Sequence, residues 1–227
     1  VKSFDVEAQC SLYTTSWKRI TSSRNDRTYG RARGIGDASI ELFSTSVAPD
    51  SYFVAWQAKP VRGNMLFSKG LRAFAPDFSG RSLNLSDIEL AYMIEPAKPG
   101  GGFVKGTLSV VPNPVGKCPL DHPLYLYFEA YNLAKDANGH TSYTIEYKLA
   151  SEQIKRSLLA SIFGSSKKTS IAVPAERTGK EDWSPEHMAL DVSELAPGKY
   201  NVQVTLRDHV AGKSVSRSIA VEIYEKE

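Results

Sequence analysis

The feature that most constrains this chain is an internal repeat. Ile40–Ala58 aligns without a gap on Met188–Leu206, at an offset of 148 residues. Ile40 falls on Met188, Leu42 on Leu190, Val47 on Leu195, Tyr52 on Tyr200 and Val54 on Val202, while Ala48-Pro49 repeats as Ala196-Pro197. A one-residue slip in a strand sends every side chain to the opposite face, so conserved parity means that both copies bury the same side. The repeat therefore reads as a strand, a proline turn and a second strand opened by Tyr, occurring in two domains of one kind.

Period-two alternation runs through the rest of the chain. It is carried by Tyr52, Val54, Trp56 and Ala58, by Leu124, Leu126 and Phe128, by Tyr143, Ile145, Tyr147 and Leu149, by Tyr200, Val202, Val204 and Leu206, and by Ile219, Val221 and Ile223. Rows of this kind place apolar side chains on one face of a sheet. Turn chemistry lies between them at Pro60–Gly63, Pro99–Gly102, Pro112–Gly116, Asp136–Gly139 and Ala211–Gly212. Many short strands with regular punctuation predict a sandwich or barrel. The repeated Pro-x-x-Tyr resembles the tyrosine corner of immunoglobulin-like sandwiches, in which the Tyr hydroxyl bonds back to upstream backbone.

The predicted fold class is all-β: two tandem immunoglobulin- or fibronectin-III-like sandwiches. The first spans residues 1–80 and is short for such a domain at ~100 residues, which suggests missing upstream strands. Ala75-Pro-Asp-Phe-Ser-Gly-Arg81 reads as the linker, and the second domain spans 81–227. One segment departs from alternation: between Ser151 and Phe163, Ile154, Leu158, Leu159 and Ile162 recur at helical spacing, with Gly164 as a stop. A short helix sealing one end of the second sandwich is expected there, with a recognition helix as the sharper alternative. Lys155 and Arg156 are its only basic residues.

Net charge is +3, but residues 1–80 hold 11 basic and 7 acidic residues against 17 and 18 in the remainder. The excess gathers at Lys18, Arg19, Arg24, Arg27, Arg31 and Arg33, a candidate basic loop for an anionic glycan, a phosphate or an acidic protein. The plainer reading is a solvated loop running into a strand. The field is too weak to suggest nucleic acid. No apolar run approaches the ~20 residues of a membrane span. Cys10 and Cys118 leave pairing open, and a start at Val1 without Met suggests processing or a longer parent chain.

Catalytic motifs are not found. Gly212-Lys213-Ser214 ends like a phosphate-binding loop, but Arg207 stands where its first Gly belongs. Gly34-Ile35-Gly36 lacks the third Gly of a dinucleotide fingerprint. His122, His140, His187 and His209 have no zinc-site spacing, so no metal, cofactor or catalytic residue is assigned and the chain is read as a non-enzyme. The richest binding candidate is the strand 123–131, with Leu124, Leu126, Phe128 and Ala130 on one face and Tyr125, Tyr127, Glu129 and Tyr131 on the other. Exposed, the tyrosines would hold sugar rings or a protein partner; covered, they are a second packing surface. One sequon, Asn84-Leu85-Ser86, lies beside the linker.

Pro76-Asp77-Phe78-Ser79, Leu85-Ser86-Asp87-Ile88-Glu89-Leu90-Ala91, Pro112-Asn113-Pro114 and Tyr127-Phe128-Glu129-Ala130-Tyr131-Asn132-Leu133 occur in that order. Together with Ala48–Tyr52 they resemble the sandwich region of bacterial GWxTD-domain proteins and related extracytoplasmic proteins of unknown function. The Gly-Trp-x-Thr-Asp pentapeptide is not found; Asp182-Trp183-Ser184 is its nearest approach. The resemblance implies a periplasmic, envelope or secreted location and carries over no catalytic residue. The expected function is a non-catalytic interaction or scaffold module with a protein partner, the alternative being a carbohydrate-binding accessory module that uses the Tyr face.

Overall fold

Alternating residues become strands because extended backbone sends successive side chains to opposite sides. The computed structural model describes residues 4–29, 40–62, 66–100, 102–151 and 170–226, and every regular element among them is a β-strand. The chain divides into two compact units, Val1–Ser79 and Gly80–Glu227.

Unit 1 contributes β1 (Phe4–Thr14), β2 (Arg19–Tyr29), β3 (Asp50–Pro60) and β4 (Phe67–Ala75). They form one antiparallel sheet in the order β2-β1-β3-β4. Register fixes its two faces. One carries Ala8, Cys10 and Leu12 beside Ala58, Trp56, Val54 and Tyr52, continued by Phe67, Lys69 and Leu71. The other carries Gln9, Ser11 and Tyr13 beside Gln57, Ala55 and Phe53, continued by Ser68, Gly70 and Arg72. Among the described residues of this unit there is a single sheet, and only Ala8, Ser11, Leu12 and Tyr52 are buried. Ile40 and Leu42, which the repeat aligns with strand residues, lie in irregular chain, and Leu42 is exposed.

Unit 2 contributes β5 (Asn84–Leu85), β6 (Glu89–Pro96), β7 (Val104–Lys105), β8 (Leu108–Pro112), β9 (Lys117–Pro119), β10 (Leu124–Tyr131), β11 (Thr141–Ser151), β12 (Ser170–Gly179), β13 (Trp183–Leu190), β14 (Gly198–Asp208) and β15 (Lys213–Tyr224). One sheet runs β13-β10-β6-β8-β7, with β5 also on β10; the other runs β12-β11-β14-β15-β9. All pairings are antiparallel except β15 with β9. The helix expected over 151–163 lies outside the described residues, apart from Ser151, which ends β11.

The two sheets share one core, a sandwich-like arrangement. Leu124, Leu126 and Phe128 of β10 meet Ile145, Tyr147 and Leu149 of β11 and Val202, Val204 and Leu206 of β14. Each such side chain contributes roughly 1.5–3 kcal/mol when fully buried. The Phe128 and Tyr147 rings pack tilted at 6.1 Å between centroids. Both copies of the repeat close the hydrogen bond expected of a tyrosine corner. Tyr52 donates its hydroxyl to the Ala48 carbonyl at 2.6 Å, and Tyr200 donates to Ala196 at 2.7 Å. In each the bond ties the first turns of a strand to the chain four residues upstream. The outermost strands β12 and β13 each contain a proline, Pro174 opposite Glu146 and Pro185 opposite Glu129. Proline has no N–H to give a ladder and belongs on edges.

Candidate binding surfaces

The tyrosine face of β10 is not an open platform. Tyr127 is only 4% exposed and forms a satellite core with Ala91 of β6 and Val110 of β8, against which Tyr125, Ile94 and Leu108 pack. Its hydroxyl donates to Glu129 Oε1 at 2.7 Å, and the Tyr131 hydroxyl donates to Oε2 of the same carboxylate. Lys105 completes the cover: its ammonium lies 4.7 Å from the Tyr127 ring centroid and pairs with Glu89. In sheet order β7 stands three strands from β10, about 14 Å at ~4.8 Å per strand. The ladder sets Lys105 opposite Leu108 and Leu108 opposite Pro96, at the far end of β6 from the Glu89 that Lys105 pairs with, so this edge of the sheet curls over its own outer face. Burial and the Glu129 bonds both push the Tyr127 and Tyr131 hydroxyls well above the ordinary phenol range. They stay protonated and act as donors. Tyr125, Glu129 and Tyr131 are half-buried.

The basic segment is a strand more than a loop. Arg19–Tyr29 pairs along β1, with Arg24 opposite Gln9 and Arg27 opposite Val6. Charges on an edge strand oppose unwanted pairing and do not prevent sheet formation. Arg24 is held by Glu7 at 2.8 Å, and Lys59 meets the same carboxylate at 3.2 Å. Lys18 and Arg19 stand exposed at the β1–β2 hairpin. Arg31 and Arg33 lie outside the described residues.

That hairpin holds a surface missed in the sequence. Trp17 donates its N–H to the Thr14 carbonyl at 3.0 Å, and Thr14 donates to the Lys18 carbonyl at 2.9 Å. Trp17 closes the turn at φ 63°, in the left-handed region. Hairpins reserve such a position for Gly or Asn, and a bulky residue there costs roughly 1–3 kcal/mol. Phe53 offsets part of that cost: the two rings stack at 4.6 Å between centroids and 6° between planes. Tyr13 is tilted against Trp17 at 6.0 Å, and the Arg72 guanidinium lies 5.1 Å from the Phe53 centroid. Even so, Trp17 remains 66% exposed. Beside it runs a groove of about 280 Å³, lined by Trp17, Phe53, Ala55, Gly70 and Arg72 together with Val54 and Leu71.

Unit 2 contains a buried polar cluster between its sheets. Glu186 of β13 accepts from Tyr143 at 2.6 Å and Ser184 at 2.9 Å through Oε1, and from Arg177 Nε at 3.2 Å through Oε2. It joins the edge of one sheet to the edge of the other. The Tyr147 hydroxyl, also buried, has no hydrogen-bond partner among the described residues. Asp208 is buried as a backbone anchor, accepting from Ala134, Val210 and Ala211. Cys10 and Cys118 are unpaired; burial, helped by nearby Asp121, pushes the Cys118 thiol up to about 11. In the sequon, the Asn84 side-chain oxygen accepts from Leu85 N–H and from Arg217. No group of three metal-ligating side chains gathers among the described residues. No helix among them is long and apolar enough to cross a membrane.

No protein-family model matches the chain, and no curated protein matches it.

Proposed function

We propose that the chain is a non-catalytic interaction module working outside the cytoplasm, with two immunoglobulin- or fibronectin-III-like units in tandem. The short motifs shared with the sandwich region of GWxTD-domain proteins support that placement. The paired tyrosine hydrogen bonds support common descent of the two units. The observation that carries the reading is a contrast between them. Unit 2 encloses a core of more than twenty apolar side chains between two sheets, whereas unit 1 buries only Ala8, Leu12 and Tyr52 among its described apolar residues and displays Phe67 at 54% and Leu71 at 48% exposure on the face that also bears Trp56. Large apolar side chains exposed together on one face mark a contact site, and a partner protein is the occupant proposed. The carbohydrate reading through Tyr125, Tyr127 and Tyr131 loses its footing, since Tyr127 is packed and its hydroxyl is engaged.

A photo-crosslinking residue placed at Leu71, and separately at exposed Ser216 of β15, tests the proposal in cells that make the protein. The expected result is a discrete protein adduct from position 71 and none from position 216. Equal adducts at both positions, or none at either, would overturn it.

A further inference from the structure

On the opposite face of the unit 1 sheet, we propose that the groove beside Trp17 binds an acidic sugar: a pyranose carrying a carboxylate, as one residue of a polyuronate chain. Three observations carry this. The first is a conflict between local rule and residue. The left-handed turn position of the β1–β2 hairpin is filled by the largest side chain available. Departures from local preference concentrate where function requires them. The second is geometry. One face of the Trp17 indole rests on Phe53, so its exposure comes from the other face and the edges. A flat aromatic surface held rigid from behind suits the C–H face of a sugar ring, and it gives contact area with little side-chain freedom left to lose. The third is charge. Arg72 is the one charged residue lining the groove among the described residues, and Lys18 and Arg19 directly follow Trp17 in the chain. Asp50 opens β3, but alternation puts it on the other face, and its carboxylate accepts from the Ser51 N–H at 2.7 Å. A guanidinium fork matches a planar carboxylate through two parallel hydrogen bonds.

Size and floor agree with this occupant. At about 280 Å³ the groove falls just below the ~300 Å³ lower end of drug-sized pockets, which suits a single ring at a time. Its floor is Ala55 and Gly70. A Cβ placed on Gly70 would meet only the Val54 carbonyl oxygen, at 3.9 Å, so the space above this glycine is open. Single-stranded nucleic acid also uses aromatic and basic groups, but it needs a run of cations along a backbone and successive stacking faces. Here one indole face is free, and Arg24, farther along β2, is already paired with Glu7.

The test is isothermal titration of the full chain with tetragalacturonate, maltotetraose, a heparin tetrasaccharide and oligothymidylate. Tetragalacturonate is expected to bind at least tenfold more tightly than each of the others, with an affinity that weakens as salt rises. Trp17→Gly relieves the turn and removes the platform, so binding should fall at least tenfold while the thermal midpoint of unit 1 holds or rises. Gly70→Val fills the groove, removes no contact and favours a strand, so it decides the matter should Trp17→Gly unfold. It too should lose at least tenfold. Arg72→Gln should bring tetragalacturonate down toward maltotetraose. No binding of tetragalacturonate at millimolar concentration overturns the proposal, as does full binding by Gly70→Val. Maltotetraose binding as tightly would overturn the carboxylate assignment, heparin binding as tightly would overturn the polyuronate one, since sulfates outnumber its uronates, and tighter oligothymidylate would give the site to nucleic acid. Leu71 borders the groove, but alternation sends its side chain, where the crosslinker sits, to the other face, so either proposal can fail without the other.

Discussion

Tyr143, Ser184 and Arg177 converge on one carboxylate inside unit 2, and Tyr147 stands beside them with its hydroxyl unmatched. These neighbours should respond to mutation in opposite directions. Glu186→Ala leaves a buried hydroxyl and a guanidinium without their acceptor, and a loss of about 2–3 kcal/mol is expected in urea unfolding. Tyr147→Phe removes an oxygen that has no partner among the described residues and keeps the ring against Phe128. The expected change is a gain of up to about 1 kcal/mol, and a loss of that size would mean that the hydroxyl is bonded after all. Tyr200→Phe should cost about 1 kcal/mol, because the Ala196 carbonyl loses the bond that ties it to the strand. The parity of Tyr143, Tyr147 and Tyr200 is legible in the alternation. The cluster is not, because Glu186 and Tyr143 are brought together only by two sheets packing face to face.

Among the elements, the strands read correctly are those with large apolar residues every second position, such as β10, β11 and β14. The strands that alternation leaves unmarked have small or polar rows. In β1 the inward row is Ala8, Cys10 and Leu12, too small and mixed to stand out, and eight of the eleven residues of β2 are Ser, Thr, Asn or Arg. An edge strand draws its stability from its neighbour's backbone, so composition barely marks it. The hairpin between them, Thr14-Thr15-Ser16-Trp17-Lys18, contains no Gly, Asn or Pro and gave no turn signal. Ile40–Leu42 failed in the other direction: its alternation is real, but no described strand receives it. The Tyr row of β10 was assigned to the correct face, yet its cover comes from β7, which a reading of β10 alone cannot supply. Lys105→Ala tests that cover. Removing the ammonium from Tyr127 and Glu89 should cost about 1 kcal/mol and increase tyrosine quenching by acrylamide, with no effect on unit 1.

At the scale of the whole molecule, the two units differ in how much they enclose, and calorimetry is expected to resolve two transitions. The earlier one should report through Trp17 and Trp56, both in unit 1, and the later one through Trp183. Alkaline pH should act on unit 2 in particular. The Cys118 thiol is raised from 9.0 to about 11, so between those values the unfolded chain has released a proton that the folded chain keeps. The unfolded state then binds fewer protons, and stability falls as pH rises through about 9 to 11. Burial raises the phenols of Tyr143, Tyr147 and Tyr200 as well, which extends the loss in the same direction at higher pH. At pH 8 the buried Cys118 is held as the thiol, so alkylation of the native protein should be slow and should quicken on unfolding. The prolines of β12 and β13 bear on a different property. Each removes an amide donor from the rim of a sheet, where another chain would otherwise add itself strand by strand. Unit 2 can therefore be crowded at a surface, many copies side by side, without seeding fibrils through those two rims.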